Sequence, residues 1–160
     1  MALLGVALAV LLAGDCASTF IYHVPQHAWF TFHLRTHHDG RRSYRDRAVL
    51  TSDPALLADG FLGALPYLAV AALAARLSWQ GALLGLALGE LHVWWRHTAA
   101  LGWKTPSPVA RAARALYIVT PEDHDVHHRN PHLEFGDIFR FYDAPARAML
   151  RRLTRQCRHA

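Results

Sequence analysis

Ten of the twelve histidines in this 160-residue chain fall into four clusters, three of them with metal-ligand spacing. They are His23-Val-Pro-Gln-His27, His33-Leu-Arg-Thr-His37-His38, His92-Val-Trp-Trp-Arg-His97 and His124-Asp-Val-His127-His128. Neutral imidazole suits iron, zinc, copper and nickel, so ligand type alone does not choose the metal. On a helix, spacings of three and four place two side chains on one face, one turn apart, the separation that two ligands of one ion need. His124 with His127 and His128, and His33 with His37, meet this condition directly. His23 and His27 meet it with Pro25 between them, which must kink the helix or occupy its first turn. His92 and His97 stand five apart and share no face of a straight helix. Either they bind different metals, or one supports a ligand from behind. His132 and His159 stand alone and read as ordinary core or surface residues.

Ten imidazoles are too many for one tetrahedral zinc site, which takes four protein ligands or three and a water. They suit two metals with positions left open for water or oxygen. A ferritin-like di-iron site would need Glu and Glu-x-x-His pairs on four helices, and Glu90, Glu122 and Glu134 stand in no such pair. No Gly-x-Ser-x-Gly elbow, phosphate-binding loop, Gly-x-Gly-x-x-Gly turn or His-Glu-x-x-His helix is present. Cys16 and Cys157 lie near opposite ends with no Cys-x-x-Cys neighbour, which excludes a disulfide framework.

The elements that must hold these histidines are apolar. The chain is 52% hydrophobic and 18% charged, with a net charge of +5, which excludes disorder and fits one domain over residues 1–160. Apolar runs cover about 2–22, 57–76 and 77–97, each near the roughly 20 residues of a membrane span. They are apolar all round rather than striped. The first has no basic leader and no clear cleavage site, and is expected to be a retained anchor. Asp15 and Glu90 are costly in such runs, so they are expected to face the protein interior and orient ligating imidazoles. Histidine-rich polar parts follow at about 23–55 and 98–143, then a basic tail at 144–160. Arg35, Arg41, Arg42, Arg45 and Arg47 follow the first run; Lys104, Arg111, Arg114, Arg129 and the tail follow the third. The positive-inside rule puts both stretches in the cytoplasm and the Ser78 turn outside. Anionic lipid accounts for the basic charge without a nucleic-acid partner. The expected fold is an all-α integral membrane protein with about three spans and a cytoplasmic histidine-rich di-metal cap.

The pattern resembles the fatty acid hydroxylase / sterol desaturase superfamily of membrane di-iron oxygenases from about Asp15 to Asp143. The carriers are Asp15 and Tyr22-His23-x3-His27, then His33-x3-His37-His38, then Leu91-His92-Val-Trp-Trp-Arg-His97-Thr98. The last is Thr120-Pro121-Glu-Asp-His124-Asp-Val-His127-His128-Arg-Asn130, with Phe135-Gly136-Asp137-Ile138-Phe139 and Tyr142-Asp143 after it. Val24 stands where the family usually has Arg, and Ala144-Pro145 replaces its closing Phe-Gly-Thr. The compact size and the His92-x4-His97 spacing also resemble carotenoid ring hydroxylases. The resemblance implies two Fe ions, with Zn as a possible replacement, held by His23, His27, His33, His37, His38, His92, His97, His124, His127 and His128. Asp143 joins Asp15 and Glu90 as a carboxylate that orients ligands. It further implies O2, a fatty acyl, sterol-like or carotenoid lipid to be hydroxylated or desaturated, and an electron donor such as cytochrome b5 or a ferredoxin, since nothing here binds NADPH or flavin. The Arg41 to Arg47 run would dock an acidic donor or face lipid and solvent. Trp29, Phe32, Trp94 and Trp95 would line the substrate entrance or anchor the interface. The competing readings are a membrane zinc hydrolase acting on lipid and a metal carrier or sensor without catalysis.

Overall fold

The apolar run that begins at Ala2 continues as one helical rod to Ala28, 27 residues in all, because a π-helical segment lets it pass Pro25. A computed structural model describes residues 2–156; Cys157 and His159 lie outside the described residues. The rod comprises α1 (Ala2–Ala17), a π-helical segment (Ser18–His23) and α2 (Val24–Ala28). Short helices α3 (Phe32–Thr36) and α4 (Tyr44–Arg47) precede two long ones, α5 (Pro54–Ala74) and α6 (Trp79–Arg96). After a 3-10 turn at Thr98–Leu101 come α7 (Ser107–Ala115), α8 (Pro121–Arg129), a 3-10 turn at Arg140–Tyr142 and α9 (Asp143–Gln156). Among the described residues the only strand-like pairing is one bridge, Ile118 to Phe139.

Helix α5 starts at Pro54, upstream of its apolar run, because Asp53 caps it by accepting from the Ala55 N–H and proline fits the first turn. Ser78 caps α6 by accepting from the Gly81 N–H. The rod, α5 and α6 pack as a three-helix bundle around Val6, Val10, Ala71 and Ala82. Glycines let α6 approach α1: a Cβ added at Gly81 would lie 2.6 Å from the Leu3 carbonyl oxygen, and one at Gly85 would lie 2.9 Å from that of Ala7. Small residues at spacing four are a device for close packing of membrane helices, where no hydrophobic drive holds helices together.

The outer face of the bundle is apolar: Leu4, Leu8, Phe61, Leu65, Leu73, Leu83 and Leu88 are all exposed. Ala2–Ala28 and Pro54–Ala74 are long and apolar enough to cross a membrane. The third expected span, α6, is not one of these; it has 18 residues, about 27 Å at 1.5 Å per residue, and it carries Glu90, His92 and Arg96.

At one end of the bundle the short helices gather. Helix α9 packs on α2, where Val24, Phe135, Ala146 and Leu150 form a second core. The fully buried Asp15 reaches across from α1 and accepts the backbone N–H groups of Asp137, Ile138 and Phe139 at 3.0, 3.0 and 2.7 Å. That clasp ties the C-terminal part to the N-terminal rod.

Replacing Gly85 by Leu is expected to destabilise the bundle by about 1–3 kcal/mol, the cost of overpacking a tight contact. Gly5→Ala, at a position where an added Cβ meets nothing within 4 Å, should leave stability unchanged or slightly raised. Thermal unfolding of both variants in the same detergent compares them.

Candidate metal centre

Local sequence explains how each helix presents its imidazoles. Pro25 has no N–H, and its ring would press on the carbonyl one turn back. The rod absorbs this in its π segment, where the Val24 N–H bonds to the Thr19 carbonyl, five residues earlier. Pro25 then sits in the first turn of α2, and His23 and His27 keep their one-turn separation. Single π turns of this kind are frequent at functional sites. Helix α8 is set by a capping box, in which the Thr120 side chain accepts from the Asp123 N–H and the Asp123 carboxylate accepts from the Thr120 N–H. It carries His124, His127 and His128. His37 caps the C-terminus of α3 and His97 that of α6.

The imidazoles converge in two sets. His23, His27, His33, His38 and His127 form one; His37, His97, His124 and His128 form the other; within each set the candidate ligand atoms lie within 4.8 Å of one another. His23 Nε2 is 2.9 Å from His127 Nε2. His97 Nε2 is 3.2 Å from His37 Nε2 and 2.9 Å from His124 Nε2, and His124 Nε2 is 3.2 Å from His128 Nε2. Two ligands at right angles, each about 2.1 Å from one ion, stand about 3.0 Å apart.

Protonation shows why a cation belongs there. His23 Nδ1 lies 3.0 Å from the Phe135 carbonyl, His127 Nδ1 2.6 Å from that of Leu133, and His97 Nδ1 2.7 Å from that of Val93. A carbonyl only accepts, so each Nδ1 carries the proton and each Nε2 a bare lone pair. The Nε2 lone pairs of His23 and His127 therefore face each other with no hydrogen to share. His33 Nδ1 is held by Asp59 at 3.0 Å, and its Nε2, His27 Nε2 and both His38 nitrogens are buried without partners. Burial lowers the pKa of His37, His97, His124, His127 and His128, and that of His38 to about 3. All are neutral at pH 7 and free to ligate. The donor set fits two divalent ions.

Nine of the ten sequence-expected ligands are thus brought together. His92 is not among them. Five residues at 100° each turn it about 140° from His97, and it lies instead beside Trp95, with ring centroids 5.4 Å apart. One-turn spacing also needs correction as a guide to which metal a histidine serves. It keeps His23 with His27 and His124 with His128, but it divides His33 from His37 and His124 from His127.

The expected orienting carboxylates differ more. Asp15 holds backbone N–H groups and Thr19, not an imidazole. Asp143 accepts from the Phe135 N–H and pairs with Arg147. Glu90 is exposed at the rim of the cavity described below rather than turned inward, because that side of α6 faces away from α1. Two other carboxylates stand beside the ligands. Asp59 accepts from His33 Nδ1 and from the Tyr22 hydroxyl. Asp137, paired with Arg96 at 2.8 Å, lies 3.8 Å from His23 Nδ1. The signal for Asp59 was in the sequence: it is an ionisable residue within an apolar run.

A cavity of about 470 Å³ opens between the π segment of the rod, α5 and α6 and reaches His23, His33, His37 and His124. Its walls include Leu57, Phe61, Leu68, Leu86 and Val93, with Gly60, Gly63 and Gly89 leaving room. Trp29, Phe32, Trp94 and Trp95, the expected entrance residues, do not line it. The model of the Fatty acid hydroxylase family matches residues 7–146. The chain belongs to that family. No curated protein and no solved structure matches it significantly. Fatty acid hydroxylases are oxygenase-type oxidoreductases that act on lipids with O2, and the two imidazole sets give this member a place for metal.

Three substitutions test the ligand sets, with metal per chain measured by elemental analysis at matched protein amounts. His128→Ala is expected to empty the four-imidazole set and leave the other filled. Asp59→Asn, which keeps size and removes charge, should weaken metal affinity about 10- to 100-fold, the usual effect of losing a ligand's supporting carboxylate. His92→Ala and His132→Ala should keep the full metal content.

Proposed function

We propose that this fatty acid hydroxylase is an integral membrane di-iron oxidoreductase that hydroxylates or desaturates a C–H bond of a lipid, using O2 and electrons from a partner such as cytochrome b5 or a ferredoxin. The observation that carries the reading is the double imidazole set at the end of an apolar cavity. Bound at these two sets, iron supplies O2 activation and removal of hydrogen from an unactivated C–H bond. The chain supplies position and dryness. Leu57, Phe61, Leu68, Leu86 and Val93 hold the apolar part of the substrate, and the small wall residues admit its width. The carbonyls of Phe135, Leu133 and Val93 fix which nitrogen of His23, His127 and His97 points inward. Asp59 does the same for His33 while Tyr22 holds the carboxylate in place. The buried imidazoles exclude bulk water from the reacting end.

In this reading α6 is a third span, and the imidazole end of the bundle faces the cytoplasm. Its support is that the Arg-rich loops and the histidines lie at the same end, while the short turn at Ser78 lies at the other. Single cysteines at Gly40, Gln80 and Ser107, in a chain with Cys16 and Cys157 replaced, test this with a membrane-impermeant thiol reagent. Gln80→Cys should label from the side opposite to the other two; labelling of all three from one side would defeat the topology.

Metal identity and O2 dependence test the chemistry. Iron-loaded protein with a reduced donor should convert lipid in proportion to O2 consumed. Zinc binds such sites more tightly than iron(II) in the divalent series, so zinc-filled preparations are expected from overexpression. Zinc-loaded, iron-free protein should be inactive; full activity there would replace the oxygenase with a hydrolase.

A further inference from the structure

The Arg-rich loop that follows the second histidine cluster has an unequal member. Arg41 pairs with Asp39 at 3.0 Å, Arg42 with Asp53 at 3.3 Å, and Arg45 Nε donates to the Leu50 carbonyl at 3.2 Å. The Arg47 side chain has no hydrogen bond or ion pair among the described residues, and its Nε is buried. It lines the same cavity as His33, His37 and His124.

The backbone is built to hold it there. A capping box between Ser43 and Asp46 starts α4. The helix ends in a Schellman motif, with the Val49 N–H bonded to the Asp46 carbonyl and the Leu50 N–H to that of Arg45. The residue in the left-handed position is Val49, with φ 57°, where glycine is the usual choice. A branched residue tolerates that φ only when its surroundings enforce it. Here the valine side chain packs against Gly60 of α5, where an added Cβ would meet it at 2.7 Å. The turn therefore fixes the backbone of α4 beside the cavity that the Arg47 side chain lines.

The nine side chains of the two sets are all imidazoles. Of the three carboxylates that line the cavity, Asp59 is held by His33 and Tyr22, Asp137 by Arg96 and Ser18, and Glu90, exposed at the rim, makes no ion pair with Arg47. A half-buried guanidinium beside two metal sites needs an anion, and its planar fork matches carboxylate and phosphate oxygens.

We infer that Arg47 is the head-group clamp of the substrate cavity and binds the carboxylate or phosphate of an anionic amphiphile whose apolar chain lies between α5 and α6. This rests on the reading of that cavity as the substrate site. It selects anionic amphiphiles over uncharged sterol-like or carotenoid substrates.

The test measures binding, not turnover. Metal-loaded chain in phosphatidylcholine nanodiscs is titrated with radiolabelled palmitate, hexadecyl phosphate and hexadecanol. One or both anions should bind about tenfold or more tightly than hexadecanol, and the better anion identifies the source as a free carboxylate or a lipid phosphate. Arg47→Gln should abolish that preference, with hexadecanol binding and metal content unchanged. Arg47→Lys should keep part of it, since charge remains and the fork is lost. If Arg47→Gln proves metal-poor, the Lys variant decides: no change in preference overturns the clamp. Equal binding of all three probes by the unmodified chain, or an undiminished preference in Arg47→Gln, also overturns it. Failure of iron-loaded protein to oxidise any probe that it binds through Arg47 would count against the oxygenase reading and leave the clamp standing.

Discussion

Nine imidazoles, six of them buried, crowd their ring nitrogens together, and this is unfavourable unless positive charge lies between them, because lone pairs that face one another have given up water without gaining a donor. Imidazole nitrogens within 4.8 Å of one another in each set are stable around a cation and repulsive without one. The rest of the molecule is arranged around that constraint. Backbone carbonyls and Asp59 take the outward protons, so the ring orientation is fixed before any metal arrives.

The centre is assembled from chain segments that are far apart in sequence. His23 meets His127 across 104 residues and His37 meets His97 across 60. No local element can do this, so the clasps that hold the segments together matter as much as the ligands. Asp15 takes three backbone N–H groups of the 137–139 segment, and Asp137 joins Ser18 of the rod to Arg96 of α6. A buried carboxylate in an apolar helix is expensive, and three N–H donors are what offset it. A metal held by either set would link its binding to folding, since each set draws on segments that only the folded chain brings together.

The bundle beneath answers a different requirement. Its outward side chains are apolar, and its inner contacts depend on Gly81 and Gly85 for close backbone approach. Small residues on one side leave α1 and α6 tightly joined. Small residues on another, at Gly60, Gly63 and Gly89, leave the cavity open toward the imidazoles. Tight packing and deliberate space come from the same residue type in different places.

Sequence alone determined the helical class, the apolar runs, the clustered histidines and the family. Each of these is a local pattern or a composition, and hydrophobic segments and ligand-rich stretches survive as patterns whatever the tertiary arrangement. The division of ligands between the two sets was decided only by the fold. His37 and His38 are adjacent, as are His127 and His128, yet each pair serves both sets. His33 and His37 share a helical face yet are separated, because α3 lies between the sets rather than beside one of them. Asp15, Asp59 and Glu90 read alike in sequence, as ionisable residues in apolar runs. Packing made the first a backbone clasp, the second an imidazole support and the third a group on the cavity rim. Spacing fixes a side chain's direction about its own helix axis, but the partner it meets depends on where other helices lie, and only long-range packing sets that.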